Sequence, residues 1–382
     1  MTERFTDCPV LIVGAGPAGL AVAACLRKKA QAFQIIEQSN QVGWRWHNHY
    51  ERLHLHTARD YSALPHKGFA RGVPRYPSRV QVVEYLQAYA QHFAIEPQFN
   101  TEFQSLHRDG DHWRVITSKQ DIQAENVVLC TGYNRIAQWP DFAPAAADQQ
   151  IHSRDYRNPD SIAGPRNLVV GAGNSGAEIA LDLVESGREV EMAIRGPLNV
   201  VPKEVLGLPL STVTRFSRWL PDRWAEKLSQ RSNQRLYGDL PQLGIEPLPY
   251  GVQCQVDQHQ RVPLIDIGTV DAIRRGEIAV RPGVKTLDNG YCTFTDGSSA
   301  NYDAVVLATG FRPRLQTLLP DHAKLLNAAG APHSSGEALA SGLFFCGFRI
   351  STRGMLNQIG REARQIADAI TDSSSSSLAN TH

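Results

Sequence analysis

Two triplets of glycine carry the strongest chemical signal in this chain. Gly14, Gly16 and Gly19 stand in GAGPAG, and Gly171, Gly173 and Gly176 stand in GAGNSG. In this pattern the first glycine makes a tight turn and the second lets the backbone approach a pyrophosphate. The third lets a helix pack closely on a strand. Pro17 and Ala18 in one turn, and Asn174 and Ser175 in the other, complete phosphate-facing segments whose helix start presents free N–H groups. A charged residue waits downstream of each: Glu37 after the first, Arg195 after the second. A carboxylate there accepts hydrogen bonds from ribose hydroxyls, whereas a guanidinium suits a ribose 2′-phosphate. A plain surface arginine is the alternative for Arg195.

The elements that must position these residues are legible around both turns. Val10–Val13 reads as a buried strand, Leu20–Lys29 as a helix and Phe33–Ile36 as the next strand, with Glu37 at its end. Leu168–Val170, a helix from Ser175 to about Ser186 ended by Gly187, and Val190–Ile194 repeat that plan and lead into Arg195. A lone glycine triplet would be weak evidence, but strand, turn, helix, strand and charge all fall in order. No Gly-Lys-Ser/Thr follows the first turn, which excludes a Walker A loop. One chain thus holds two different dinucleotides. FAD on the first unit and NADPH on the second is the natural assignment.

Composition narrows the classes. The 382 residues suffice for two domains with sizeable cores. A net charge of +1 supplies no broad field for nucleic acid or acidic membranes. Six scattered cysteines form no CxxC, so neither a disulfide framework nor a zinc knuckle nor a dithiol centre is indicated, and a reducing cytoplasm fits. The uncharged run Cys8–Leu26 is not read as a signal or membrane span. Asp7 precedes it, three glycines and Pro17 interrupt it, and Arg27-Lys28-Lys29 follow on the wrong side.

Between the two units, Gln98–Leu129 reads as short strands ending in Val127–Leu129 and the segment Cys130-Thr131-Gly132-Tyr133. Trp139–Arg166, rich in Pro, Ala and Asp, reads as a connector. Pro197–Tyr250 reads as an insertion of broken amphipathic helices carrying Trp219 and Trp224. Asp303–Gly310 (DAVVLATG) mirrors the earlier VVLCTG, Gly342–Gly347 reads as a buried strand, and Met355–Ile370 as a last helix. The polar residues 371–382 read as a disordered tail. The fold class is α/β, with two dinucleotide-binding domains, the second (161–307) inserted into the first (1–160 and 308–370).

Taken in order, GAGPAG, WHNHYERLHLHT, YPSRVQVVEYLQAYAQHF, VVGAGNSGAEIALDL, PLIDIGT, VLATGFRP and GLFFCGF make the chain resemble the class B flavin-dependent monooxygenases, closest to their YUCCA-like branch. Glutathione-reductase-like enzymes share the two-dinucleotide plan but need a cysteine pair that is missing here. The resemblance implies FAD, NADPH as reductant and molecular oxygen as co-substrate. It implies that Gly14, Gly16, Gly19, Glu37 and Trp46 serve FAD and that Gly171, Gly173, Asn174, Ser175, Gly176 and Arg195 serve NADPH. Thr131-Gly132 and Thr309-Gly310 match the family's inter-domain crossings and join the cofactor-binding set. Two departures stand out. Gly43-Trp44-Arg45-Trp46 has a bulky Trp44 where the family has a small residue. The family's linker fingerprint survives only as His152 and Tyr156, with Ala146 and Asp148 in its Phe and Gly positions.

The implied chemistry is hydride transfer from NADPH to FAD, then oxygenation of a small organic substrate through a flavin peroxide kept from water. Protonated, that peroxide oxidises nitrogen or sulfur. Deprotonated, it inserts oxygen beside a ketone or decarboxylates a 2-oxo acid such as indole-3-pyruvate. Five histidines fall in His47–His66. His54 and His56 would share a face of an extended segment; no further ligand set accompanies them, so no metal is expected. His56, read on the flavin side, and Asn174, at the nicotinamide or flavin edge, are the candidate catalytic residues. A flavin reductase or oxidase without oxygen transfer and a non-catalytic flavoprotein stay open. A homo-oligomer is compatible with all three.

Overall fold

The computed structural model describes residues 6–143, 149–210, 212–213 and 234–379. Contacts divide the chain into two compact units. One comprises Met1–His47, Ala58–Ile136 and Phe311–His382, and the other Asn48–Thr57 and Ala137–Gly310. In chain order the second unit therefore interrupts the first twice, once for ten residues only.

The first unit is built on a mixed sheet. Strand Thr6–Val13 lies between Gln34–Ile36 and Ile122–Leu129, parallel to both, and Leu343–Phe345 extends the sheet beyond Ile122–Leu129. The apolar run Val10–Val13 is buried on both faces, as a central parallel strand requires. Helix Pro17–Lys28 starts on Pro17, whose missing N–H costs nothing in the first turn, and buries Ala18 through Leu26. Its many small residues let it pack against the long helix Met355–Ala379. Helix Arg79–His92 is started by a capping box, Ser78 with Gln81.

The second unit repeats the arrangement. Its sheet runs Ile278–Arg281, Glu189–Ala193, Arg166–Val170, Ala304–Leu307, Gln150–His152, every pair parallel. In both sheets the strand before the glycine turn has its sequence successor on one side and a much later strand on the other. That is the topological switch point, where a crevice opens at the strands' carboxyl ends.

Three sequence expectations change. Within the supposed connector Trp139–Arg166, Gln150–His152 forms an edge strand and Tyr156 is fully buried. Three mixed-polarity residues show no period of their own and are recruited by pairing with Ala304–Leu307. The polar tail expected from 371 onward is helical through Ala379, because an already formed helix extends at one bond per residue without a new nucleus. The insertion 197–250 begins not as helix but as strand Val200–Pro202, paired with Leu264–Asp266, and a hairpin of Glu204–Val205 with Leu208–Pro209. Trp219 and Trp224 of that insertion, like Ala146 and Asp148, lie outside the described residues.

Candidate active site

The two glycine turns are near-copies in detail. Gly14 has φ of 107° and Gly171 of 106°, left-handed values that an L side chain rarely adopts. An added Cβ on Gly14 would lie 2.7 Å from the Cys130 carbonyl oxygen, and one on Gly171 2.6 Å from that of Ala308. A Cβ on Gly19 would lie 1.8 Å from the Gly14 oxygen, and one on Gly176 1.9 Å from the Gly171 oxygen. The third glycine is thus demanded by the helix–turn approach itself. Gly16 and Gly173, the N-cap residues of Pro17–Lys28 and Asn174–Glu185, have nothing within 4 Å of a built Cβ. No capping side chain covers either helix start. Open backbone at a helix N-terminus is what a pyrophosphate needs.

In the first unit, Glu37 is fixed at its strand end. Its carboxylate accepts from Ala15 N–H at 2.8 Å and from Ser39 N–H at 2.9 Å, one on each oxygen. Each oxygen keeps a lone pair for a ribose hydroxyl. Gly43, at φ of 67°, donates its N–H to the Ala15 carbonyl at 3.0 Å, which ties the tryptophan turn to the phosphate turn. Trp46 sits half-buried in the short helix Trp44–His47 that follows, and Trp44 is exposed. Beyond Ile122–Leu129 comes Thr131, whose Oγ1 is buried without a hydrogen-bond partner, and then Gly132 at φ of 82° with open space around it. An orphaned hydroxyl beside a backbone cradle fits a bound polar group such as the FAD pyrophosphate or ribityl chain.

In the second unit the equivalent of Glu37 is not Arg195 but Ile194. Val13 pairs with Ile36, and Val170 with Ala193. Gly14 N–H donates to Ile36 at 2.8 Å, and Gly171 N–H to Ala193 at 3.0 Å. Glu37 and Ile194 are therefore the next residues along matched strands. The acid that would repel a 2′-phosphate is gone, and exposed Arg195 stands one position further, its Cα close against Gly283. Thr309 Oγ1 donates to the Gln138 carbonyl at 2.6 Å, and Gly310 has φ of 84°, so this Thr-Gly pair is structurally engaged where Thr131 is not.

The two candidate catalytic residues have defined partners. Asn174 Oδ1 accepts from Ile265 N–H at 2.7 Å, which locks the helix start to the strand Leu264–Asp266. His56 lies in the second unit, in segment Asn48–Thr57. Its Nε2 bonds the Glu178 carboxylate, on the helix Asn174–Glu185. Glu178 is 2% exposed. The buried Tyr50 hydroxyl lies beside the same carboxylate and Ser175. Burial pushes the Tyr50 phenol well above its ordinary value, and the Glu178 charge adds to that. Burial also pushes the Lys203 ammonium down, against the pull of Glu178 and Glu204. Tyr156 donates to Asp182 at 2.8 Å, and Arg52 bonds Glu185. His54 does not join His56; its Nδ1 bonds the Arg52 carbonyl at 2.7 Å.

Comparison with known proteins decides the family. The family model described as pyridine nucleotide-disulphide oxidoreductase matches residues 11–215. The chain is 33% identical to indole-3-pyruvate monooxygenase YUCCA1 of Oryza sativa subsp. japonica, over 93% of this chain and 89% of that one. The YUCCA6 enzyme of Arabidopsis thaliana is 32% identical over 97% and 92%. The chain belongs to the YUCCA-like flavin monooxygenases. Its fold agrees: a flavin-containing monooxygenase from Stenotrophomonas maltophilia superposes with a TM-score of 0.73 at 22% identity, covering 96% of this chain and 99% of that one. The protein is an oxidoreductase with FAD and NADPH as cofactors. Among the described residues no helix is long and apolar enough to cross a membrane.

The sequence reading missed Glu178, which looked like an ordinary polar position in an amphipathic helix. Two signals were available: it falls in the first half of the dinucleotide helix, and its neighbours Ala177 and Ile179 are apolar. It also missed Tyr50 and Ile194, for which no local pattern exists.

Proposed function

We propose that this YUCCA-like enzyme decarboxylates a 2-oxo acid of the indole-3-pyruvate kind, with FAD held by the Gly14 turn and NADPH by the Gly171 turn. The carrying observation is the contrast at matched strand ends: Glu37 after one glycine turn, Ile194 and Arg195 after the other. The named activity of relatives at 33% and 32% identity supports the substrate class. FAD supplies the hydride acceptance and oxygen activation. In the balanced reaction, NADPH, a proton, O2 and the 2-oxo acid give NADP⁺, water, CO2 and the acid one carbon shorter.

The chain's own residues bind and orient. Gly14, Gly16, Pro17, Ala18 and Gly19 bring backbone and helix N-terminus to the FAD pyrophosphate. Glu37 accepts from the adenosine ribose, while Trp46, Thr131 and Gly132 complete the first site. Gly171, Gly173, Ser175 and Gly176 do the same for NADPH, and Arg195 holds its 2′-phosphate through charge-assisted hydrogen bonds. Asn174 keeps its NH2 group for the dinucleotide while its oxygen stays on Ile265. Thr309 and Gly310 shape the strand end beside the second turn. His56, with Nε2 engaged, offers Nδ1 to a bound reactant. Six free cysteines accord with a cytoplasmic enzyme.

The test is a product balance. With indole-3-pyruvate, NADPH and O2 consumed should match indole-3-acetate formed, and hydrogen peroxide should stay low. Amines, sulfides and ketones run in parallel test the other substrate classes. NADPH consumption matched by hydrogen peroxide with every substrate would make the protein an oxidase and overturn the proposal.

A further inference from the structure

Helix Asn174–Glu185 does more than present its N-terminus. Glu178, Asp182 and Glu185 share one of its faces at i, i+4 and i+7 spacing, and segment Asn48–Thr57 grips all three. Arg52 reaches Asp182 and Glu185, and that half of the grip is partly exposed, so it contributes little. Glu178 differs. Its carboxylate is buried, and its partners are the buried Tyr50 hydroxyl and the nearly buried His56 ring. Apolar packing would serve the core at least as well as a buried carboxylate. The pair therefore points to specificity of position rather than to stability.

The geometry dictates a tautomer. A carboxylate only accepts, so His56 Nε2 must carry the proton that faces Glu178. In the neutral ring the lone pair is then on Nδ1, which bonds no other group among the described residues. Two cations act on Glu178, Lys203 from the insertion and Arg52 from the same segment; Glu204 acts on Lys203, and Asp182, one turn along the helix, acts with Arg52.

We propose that Glu178 is a positioning residue for oxygenation: it holds His56 in the Nε2-protonated tautomer, on the helix that takes NADPH, so that Nδ1 faces the reactants as an acceptor. This rests on the reading that the Gly171 turn binds NADPH. Glu178 itself touches neither dinucleotide nor substrate; it acts through His56.

The experiment uses the FAD-loaded enzyme with ¹⁵N-labelled histidine. His56 ring signals are assigned by their disappearance in His56→Gln. The wild-type enzyme should show a protonated Nε2 and an unprotonated Nδ1, and NADP⁺ should shift both. Glu178→Ala should lose that pattern and lower kcat at least tenfold, with NADP⁺ affinity within threefold of wild type. Glu178→Gln, whose amide oxygen accepts the same hydrogen bond, should restore the pattern. If the alanine variant does not fold, Glu178→Met, of similar volume and without an acceptor, takes its place. Unchanged His56 signals in Glu178→Ala or Glu178→Met overturn the proposal, as does a fall in NADP⁺ affinity equal to the fall in kcat. The underlying reading fails separately, if NADP⁺ leaves the backbone amide signals of Gly171 and Gly173 in place in the wild-type enzyme.

Discussion

Gly176 and Gly173 separate two roles that one glycine pattern combines. A methyl group on Gly176 would sit 1.9 Å from the Gly171 carbonyl oxygen, and the helix would have to retreat by about 1 Å to relieve it. Overpacking of that kind costs about 1–3 kcal/mol. Since 1.4 kcal/mol is a factor of ten, Gly176→Ala should weaken NADP⁺ binding roughly 5–150-fold and lower the melting temperature together with it. Gly173→Ala is the control. Its φ of −78° suits any L residue, and no protein atom lies within 4 Å of the new Cβ. It should cost the fold about 1 kcal/mol at most, the loss of a glycine N-cap, yet still weaken NADP⁺, because the methyl group occupies the space the pyrophosphate approaches. Titration calorimetry with NADP⁺, thermal melts and the FAD content of the purified protein read the three quantities. FAD content should survive both changes and fall in Gly19→Ala, where the built Cβ lies 1.8 Å from the Gly14 oxygen. Wild-type NADP⁺ affinity in Gly173→Ala, or loss of FAD rather than NADP⁺ in Gly176→Ala, would refute the reasoning.

Arg195→Ala should cost about 1.5–3 kcal/mol of NADPH binding, the value of hydrogen bonds to a charged group, and leave NADH nearly untouched; equal loss for both dinucleotides would remove Arg195 from the 2′-phosphate. Glu191 is buried in the second sheet. Burial alone would raise its carboxyl, but hydrogen bonds from Arg281 at 2.5 Å and Tyr302 at 2.6 Å, with the Arg281 charge, hold it below the usual glutamate range. Its stabilisation is therefore present above about pH 4.3, the unfolded value, and disappears as pH falls through the lower folded value. Glu191→Gln should be less stable at pH 7 and lose less stability between pH 5 and pH 3 (roughly the window set by carboxylate titration); parallel melting curves for the two proteins would contradict this. In the first unit, fully buried Glu362 accepts from Gly347 N–H and Ser335 Oγ, both at 2.7 Å. Glu362→Ala should cost about 2–3 kcal/mol by orphaning those donors and reduce FAD retention, since Gly347 abuts Ala18; an unchanged melting temperature would show those contacts to be unimportant.

How far the sequence reached depends on the range of the interaction. Both strand–turn–helix–strand units were legible because the glycines, the apolar runs and the helix starts impose their constraints within about 25 residues of chain. Gly19 and Gly176 had to be glycine for a contact with a residue five positions earlier. Glu37 could be read for the same reason. Arg195 was read by counting, and only strand pairing revealed that Ile194 is the matched position, which changes the argument from a cation present to a carboxylate absent as well. Edge strand Gln150–His152 was invisible because its partner lies some 150 residues later in the chain. The same holds for the site: the sequence could name His56 as a histidine near aromatic residues, but not Glu178 as its partner across |i−j| = 122.

Taken alone, the sequence determined that two strand–turn–helix–strand units are present and in what order, since turn chemistry and local period are properties of short segments. Tertiary structure alone decided which face of the second helix is acidic and clamped, where segment Asn48–Thr57 belongs, and which nitrogen of His56 is engaged. The physical reason is burial. A carboxylate at position 178 is unremarkable in a polypeptide, and becomes a constraint on tautomer and position only when packing removes water and leaves it two partners from a distant part of the chain.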